Sequence, residues 1–250
     1  MSPAPISPDG RWWWDGARWQ SRLVEGELDL FWFTGTPDWF GRIAITGLIG
    51  LIPIVGTINL LGWTLVATDM LRQRWKELPP AGFQYLERGV APFVVSLAYG
   101  LAVVFVLASM IGAAIAVIVA NPHQPAVPVF LVLVALLIGI GYWFVALYLF
   151  AAILVGADRL GVGRAIDPAR LVALARHNQS LSVSVGVTFG VASIALAAIS
   201  LPVGFIVPFG GLAVSVALPA IYAMVAPKLV AFRVETAQAA PGTQDKPIAP

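Results

Sequence analysis

From Ile43 to Pro227 the chain is a succession of long apolar stretches separated by short polar connections. The stretches cover residues 43–66, 91–120, 129–156 and 181–227, and none of them contains Asp, Glu, Lys, Arg or His. At about 1.5 Å of rise per residue, a helix made from even the shortest stretch matches the roughly 30 Å hydrocarbon core of a bilayer, and the last is long enough to cross twice. A helix satisfies its own backbone N–H and C=O groups, which lipid cannot do. The pattern therefore predicts an all-α integral membrane protein, a bundle of four to five transmembrane helices.

The breakers inside these stretches qualify that picture. The first carries Gly47, Gly50, Pro53, Gly56 and Gly62, and proline removes a ladder hydrogen bond and collides with the preceding turn. Two geometries fit: one kinked span, which length favours, or a re-entrant pair of half-length legs turning at Ile52–Gly56. In the last stretch a turn is expected near Leu201-Pro202.

The polar connections repeat one another. Leu65-Val66-Ala67-Thr68-Asp69-Met70-Leu71 is echoed by Leu154-Val155-Gly156-Ala157-Asp158-Arg159-Leu160. Pro80-Ala81, Leu86, Arg88 and Ser96 are echoed in order by Pro168-Ala169, Leu174, Arg176 and Ser184. Such matched order reads as a duplicated unit of span, aspartate, basic amphipathic connector and span, a parallel internal repeat. Connector 67–90 holds Arg72, Arg74, Lys76 and Arg88, and connector 157–180 holds Arg159, Arg164, Arg170 and Arg176. The loop at 121–128 holds no Lys or Arg. The positive-inside rule places both connectors, and the C-terminal end with Lys228 and Arg233, in the cytoplasm of a multi-pass cell-membrane protein. A single first crossing would put residues 1–42 outside, and a re-entrant first segment would return them to the cytoplasm.

The amino-terminal stretch SPDGRWWWDGARWQ looks water-exposed. Asp15-Gly16 divides Arg11–Trp14 from Ala17–Gln20 as a two-residue turn would, which predicts a small β-hairpin over 7–20. Trp12, Trp13, Trp14 and Trp19 either stack together, rest at the headgroup level or form a partner-binding patch. Residues 27–42 mix aromatic rings with charges and predict a short interfacial helix broken near Pro37. The domain division is 1–42 for hairpin and interfacial segment, 43–234 for the membrane domain and 235–250 for a disordered tail. Pro8, Asp9, Gly10, Arg11, Trp13, Trp14, Asp15, Gly16 and Trp19 give the stretch a resemblance to the short Trp-rich motif of domain-of-unknown-function family 2510, which sits at the ends of many bacterial membrane proteins.

Composition narrows the function. Hydrophobic residues make up 59% and charged residues 11%, with a net charge of +2, where soluble domains carry about a quarter charged. A nucleic-acid partner is not expected. The absence of cysteine excludes disulfides and thiolate chemistry, and no cleavable signal peptide is expected at the amino end. His123 and His177 have no second ligand at metal spacing, Asp167 before Pro168 reads as a helix start, and no serine stands in a nucleophile setting. No catalytic residue, metal or cofactor is expected. Asp69 and Asp158 are placed to pair with Arg72 and Arg159. Trp75, Leu78, Phe83, Tyr85 and Leu86 in one connector, and Leu171, Val172, Leu174 and Ala175 in the other, lie near basic residues as in amphipathic interfacial helices, and Arg72, Arg74, Lys76, Arg164 and Arg170 are candidates for contact with anionic lipid. Two small-residue stripes, Ser182/Gly186/Gly190 and Ala108/Gly112/Ala116, predict helix seams, within one chain or between copies of a homo-oligomer.

Pro37-Asp38-Trp39, the broken segment Leu51-Ile52-Pro53-Ile54-Val55-Gly56, Gly62-Trp63 and Leu78-Pro79 resemble domain-of-unknown-function family 4013, polytopic prokaryotic membrane proteins, over roughly residues 37–232. That resemblance implies a multi-span fold and no activity. The expectation is a non-catalytic scaffold or regulatory membrane component with the bilayer and protein partners around it. The alternative is a permease for an apolar or lipid-like solute, because ionisable groups that mark ion-coupled carriers are missing from the spans.

Overall fold

The computed structural model describes residues 12–14, 19–21, 30–73, 75, 77–120, 126–206 and 210–234, with backbone alone at 12–14, 19–21, 199–206 and 210–215. The helices are α1 (Trp39–Gly50), α2 (Val55–Arg72), α3 (Leu86–Ala120), α4 (Ala126–Leu160), α5 (Val162–Ala165), α6 (Pro168–His177), α7 (Gln179–Ile206) and α8 (Gly210–Val230). Among the described residues, α3, α4 and the Gln179–Ala198 part of α7 are long and apolar enough to cross a membrane. At about 1.5 Å per residue, the 35 residues of α3 reach about 52 Å. The protein is an all-α membrane protein.

The chain divides into two compact units. One comprises residues 1–90 and 187–231, the other residues 91–186 and 232–250.

In the first unit the first apolar stretch is not one kinked span. α1 ends at Gly50, residues Leu51–Ile54 turn, and α2 begins at Val55. The direction of the turn is fixed by what lies at its open end. Arg42, near the start of α1, donates to the carbonyl of Leu78, beyond the end of α2. Trp63 of α2 donates to the neighbouring carbonyl of Pro79. Arg42 and Trp63 stand nearly equal distances along the chain from the turn, so the two helices run back along one another. α1 and α2 also pack against α8. Glycine makes the turn tight: a Cβ on Gly56 would lie 2.6 Å from the Gly50 Cα. Ile54 holds φ at +66°, costly for a β-branched residue.

Ahead of α1, Trp32–Gly35 form a 3-10 turn that buries Trp32 and Phe33, and the break falls at Thr36–Asp38, around Pro37. Connector 73–85 is irregular among its described residues, not the amphipathic helix that was expected. α7 continues past Leu201-Pro202 to Ile206, so the turn expected at that dipeptide is not there. The amino-terminal strands β1 (Trp12–Trp14) and β2 (Trp19–Ser21) pair antiparallel with Trp14 opposite Trp19. The expected Asp15-Gly16 turn lies outside the described residues. Three paired residues a side cannot stand alone in water, so a hairpin as a folded unit is not supported. The all-helical fold is what carries the structure.

In the second unit the connector 157–180 is helical. Asp167 caps α6 by accepting from the Ala169 N–H at 3.0 Å, with Pro168 in the first turn. Leu171, Leu174 and Ala175 turn inward. The Leu174 and Leu171 methyls lie 3.2 and 3.4 Å from where a Gly156 Cβ would stand. The apolar face of α6 is thus packed on α4. The parallel repeat expected from sequence does not extend to its connectors, since 73–85 is irregular and 161–178 is built of α5 and α6. The tail 235–250 lies outside the described residues.

Candidate functional site

Among the described residues, a dense polar arrangement lies in the first unit, where the segment 78–85 is stitched to α1 and α2. An irregular strand of backbone exposes carbonyls that need donors, and side chains from two helices supply them. Besides the Arg42 and Trp63 bonds, Asn59 Nδ2 donates to the Gly82 carbonyl at 2.9 Å. The Leu78 N–H donates to Thr36 Oγ1 at 3.0 Å. Tyr85 Oη donates to the Pro80 carbonyl at 2.6 Å and accepts from Gln84 Nε2 at 2.8 Å. Burial pushes the Tyr85 phenol above its ordinary value, opposed in part by the Gln84 bond and the Arg42 charge. α3 then starts so close to α2 that a Cβ on Gly62 would overlap the Tyr85 carbonyl, and one on Gly89 the Ile58 carbonyl.

At the C-terminal end of α2 a second clasp forms. Asp69 accepts from Arg72 at 3.0 Å and from Arg88 at 2.6 Å. Arg72 also donates to the Leu229 and Val230 carbonyls at 3.1 and 3.4 Å. Those are carbonyls of the last turn of α8, which have no helical N–H ahead of them, and a cation there is favoured by the helix dipole. Trp32 Nε1 donates to the Ala223 carbonyl at 2.8 Å. Pro227, four residues on, has no N–H to give that carbonyl, so the indole replaces the missing helical bond.

Two buried polar atoms have no partner among the described residues, Thr46 Oγ1 and Asn59 Oδ1. Thr46 stands one turn beyond Arg42 and Asn59 one turn before Trp63, so both lie on the faces their helices turn toward 78–85. Thr64 and Thr68 instead bond back to the carbonyls four residues earlier at 2.8 and 2.9 Å.

In the second unit an open apolar groove of about 600 Å³ runs between α3 and α4, lined by Leu107, Ile111, Ala135, Gly139, Trp143 and Phe144 among others. The Trp143 and Phe144 rings meet edge to face at 5.1 Å. Asn178 forms a paired bond with Arg233, donating to its carbonyl at 2.9 Å and accepting its N–H at 3.0 Å.

The sequence-derived candidates fare differently. Side chains of Trp12, Trp13, Trp14 and Trp19 lie outside the described residues, as do Arg74, Lys76 and His123. Asp69 and Asp158 do pair with Arg72 and Arg159, the latter at 3.5 Å. Arg164 and Arg170 are exposed, Arg170 with Asp167 at 3.2 Å. In the first stripe Gly186 approaches α4 closely, since a Cβ there would lie 2.8 Å from the Leu147 carbonyl, and Ser182 is buried. Gly112 meets nothing within 4 Å and its stripe is exposed, so no seam within the described chain forms there. The roles of Arg42, Trp32 and Asn178 left no local signal in the sequence. No group of three or more His, Cys, Asp or Glu able to hold a metal occurs among the described residues. No family model, curated protein or solved structure matches the chain.

Proposed function

We propose that this membrane protein is a non-catalytic scaffold or regulatory component that works through its surfaces. The supporting observation is the use made of its polar chemistry. In the polar arrangement of the first unit, Arg42, Asn59, Trp63, Tyr85 and Arg72 are turned onto backbone carbonyls, and Asp69 onto two arginines. Such groups hold helix ends and a loop together. In this reading the connectors 67–90 and 157–180 and the C-terminal end face the cytoplasm by their Lys and Arg bias. Anionic lipid meets the exposed Arg164 and Arg170, while Arg72 serves the clasp. Protein partners meet the Trp-rich amino end. Kinship with family 4013, and with family 2510 at the amino end, would add a multi-span fold and no activity.

The test is chemical crosslinking of the full chain in native membranes, with and without alanine at Trp12, Trp13, Trp14 and Trp19. Loss of a specific crosslinked partner at unchanged membrane insertion supports the reading. Equal recovery counts against the tryptophans as the docking element, and no partner from either chain counts against a scaffold.

The apolar groove between α3 and α4 favours a second reading, a carrier for an apolar or lipid-like solute. Ligand sites of roughly 300–1,000 Å³ lined by apolar and aromatic side chains are ordinary. Movement of a fluorescent lipid between leaflets of proteoliposomes, faster with the protein than without, is the outcome this reading requires.

A further inference from the structure

We propose that the α1–α2 hairpin enters the bilayer from one face and returns to it, occupying a single leaflet with its Leu51–Val55 turn among the acyl chains near the midplane. This is independent of the functional readings above.

The turn is made of Leu51, Ile52, Pro53, Ile54 and Val55, five consecutive apolar residues, and every one is exposed. In water such a loop is costly, and loops are ordinarily polar because their backbone needs solvent. Here the backbone supplies its own partners. Leu51 and Ile52 donate to the Leu48 and Ile49 carbonyls at 3.1 and 3.0 Å. Val55, Gly56 and Ile58 donate to the Pro53, Ile52 and Ile54 carbonyls at 2.7, 2.8 and 2.9 Å. Non-helical backbone at membrane depth is tolerated where other protein shelters it; α8 packs on both legs of the hairpin, and the Leu51, Ile52, Val55 and Gly56 N–H groups are met within the turn.

Depth follows from length. The charges nearest the turn are Arg42 on α1 and Asp69 on α2, with none from Ile43 to Thr68. Ten residues separate Arg42 from Ile52, about 15 Å of helix, half of a roughly 30 Å hydrocarbon core. Trp39, one turn before Arg42, is placed where indole favours the headgroup region. With Arg42 at the headgroups the turn therefore stops near the midplane, and α2, the longer leg at 18 residues, runs back past Trp63 and brings Asp69 and Arg72 out at the face of entry. The two ends of the hairpin, held together through Leu78 and Pro79, cannot be on opposite faces.

The cysteine-free sequence allows a direct test on the full chain in proteoliposomes and in native membranes. Single variants Thr34→Cys and Glu77→Cys flank the hairpin, and Leu51→Cys and Ile54→Cys report its turn. The expected result is labelling of Thr34→Cys and Glu77→Cys by a membrane-impermeant maleimide from the same face only. Leu51→Cys and Ile54→Cys should label at least tenfold more slowly from either face until detergent is added. A fluorophore on either turn position should be quenched more by nitroxides deep on lipid tails than by headgroup nitroxides. Labelling of the two flanking positions from opposite faces would overturn the proposal in favour of a full crossing. Fast labelling of both turn positions in intact vesicles would overturn it in favour of a hairpin lying outside the membrane. Leu51→Cys stands as the second reporter should a change at strained Ile54 disturb folding.

Discussion

At the scale of single residues, the structure is held by side chains that answer particular backbone vacancies. Pro227 withdraws an N–H from α8 and Trp32 restores the bond from 191 positions away in the chain. Trp32→Phe should leave the Ala223 carbonyl buried and unmet, which costs about 1–3 kcal/mol, seen as a lower unfolding midpoint in detergent. Pro227→Ala supplies the missing helical N–H, so in a double-mutant cycle it should recover most of that loss. Strict additivity of the two changes would show that the indole bond is not what matters there. Tyr85 gives a pH dependence with a definite sign. Its phenol is held above the ordinary 10.0 in the folded chain, so the unfolded chain ionises first. Its contribution is intact below about pH 10 and is lost as pH rises through the folded value. An alkaline titration of the unfolding midpoint should fall less steeply for Tyr85→Phe than for the parent. Although α7 runs through Pro202, where a turn was expected, the break at Pro53 was legible in the sequence. The donors that meet the freed carbonyls were not, because nothing local links Trp32 to Ala223 or Arg42 to Leu78.

At the scale of elements, run length and the uncharged interior of each stretch were enough to read the long helices, since lipid leaves helix as the way to satisfy the backbone. The reversal after α1 was not decided by the same signals. Pro53 and its flanking glycines announce a break, but a kink and a turn back have the same composition. The direction is set by Arg42, Trp63, Asn59 and the carbonyls of 78–85, contacts between segments far apart in sequence. Connector 73–85 was misread for a related reason: Trp75, Leu78, Phe83 and Tyr85 suggest an amphipathic face, yet Leu78 and Tyr85 are buried by tertiary bonds while Trp75 and Phe83 stay exposed. The α2–α3 crossing offers a sharp test. Gly89→Ala drives a methyl into the Ile58 backbone, which cannot swing aside as a side chain could, and overpacking of this kind costs typically 1–3 kcal/mol. Gly100→Ala on the same helix meets nothing within 4 Å and gains helix propensity of up to about 1 kcal/mol. The first should lower the unfolding midpoint and the second leave it unchanged or raise it. Equal responses would refute the close crossing.

At the scale of the whole molecule, composition made the membrane legible and left the faces of the spans illegible. α4 carries Leu, Val, Ile and Phe around its whole circumference, so no periodicity distinguishes a side facing a neighbour from one facing lipid. In the structure only 6% of the most apolar part of α4 is buried, and apart from Pro128 and Ala135 its buried positions gather at Ala151–Ala157. The groove beside Gly139 lies on the exposed portion, and its occupancy can be tested without disturbing the fold. A Cβ at Gly139 would meet only the Leu107 Cδ1, at 3.9 Å, so the first carbon of a larger side chain strikes no backbone. Gly139→Phe should therefore insert and unfold like the parent while reducing the room available to an acyl chain. If the groove holds lipid, native mass spectrometry after mild detergent extraction should find fewer retained lipids on the variant. Leaflet-to-leaflet lipid movement in proteoliposomes should fall with it if the carrier reading holds. Unchanged retention would mean that the groove is ordinary lipid-facing surface, and the scaffold reading would stand without a lipid cargo.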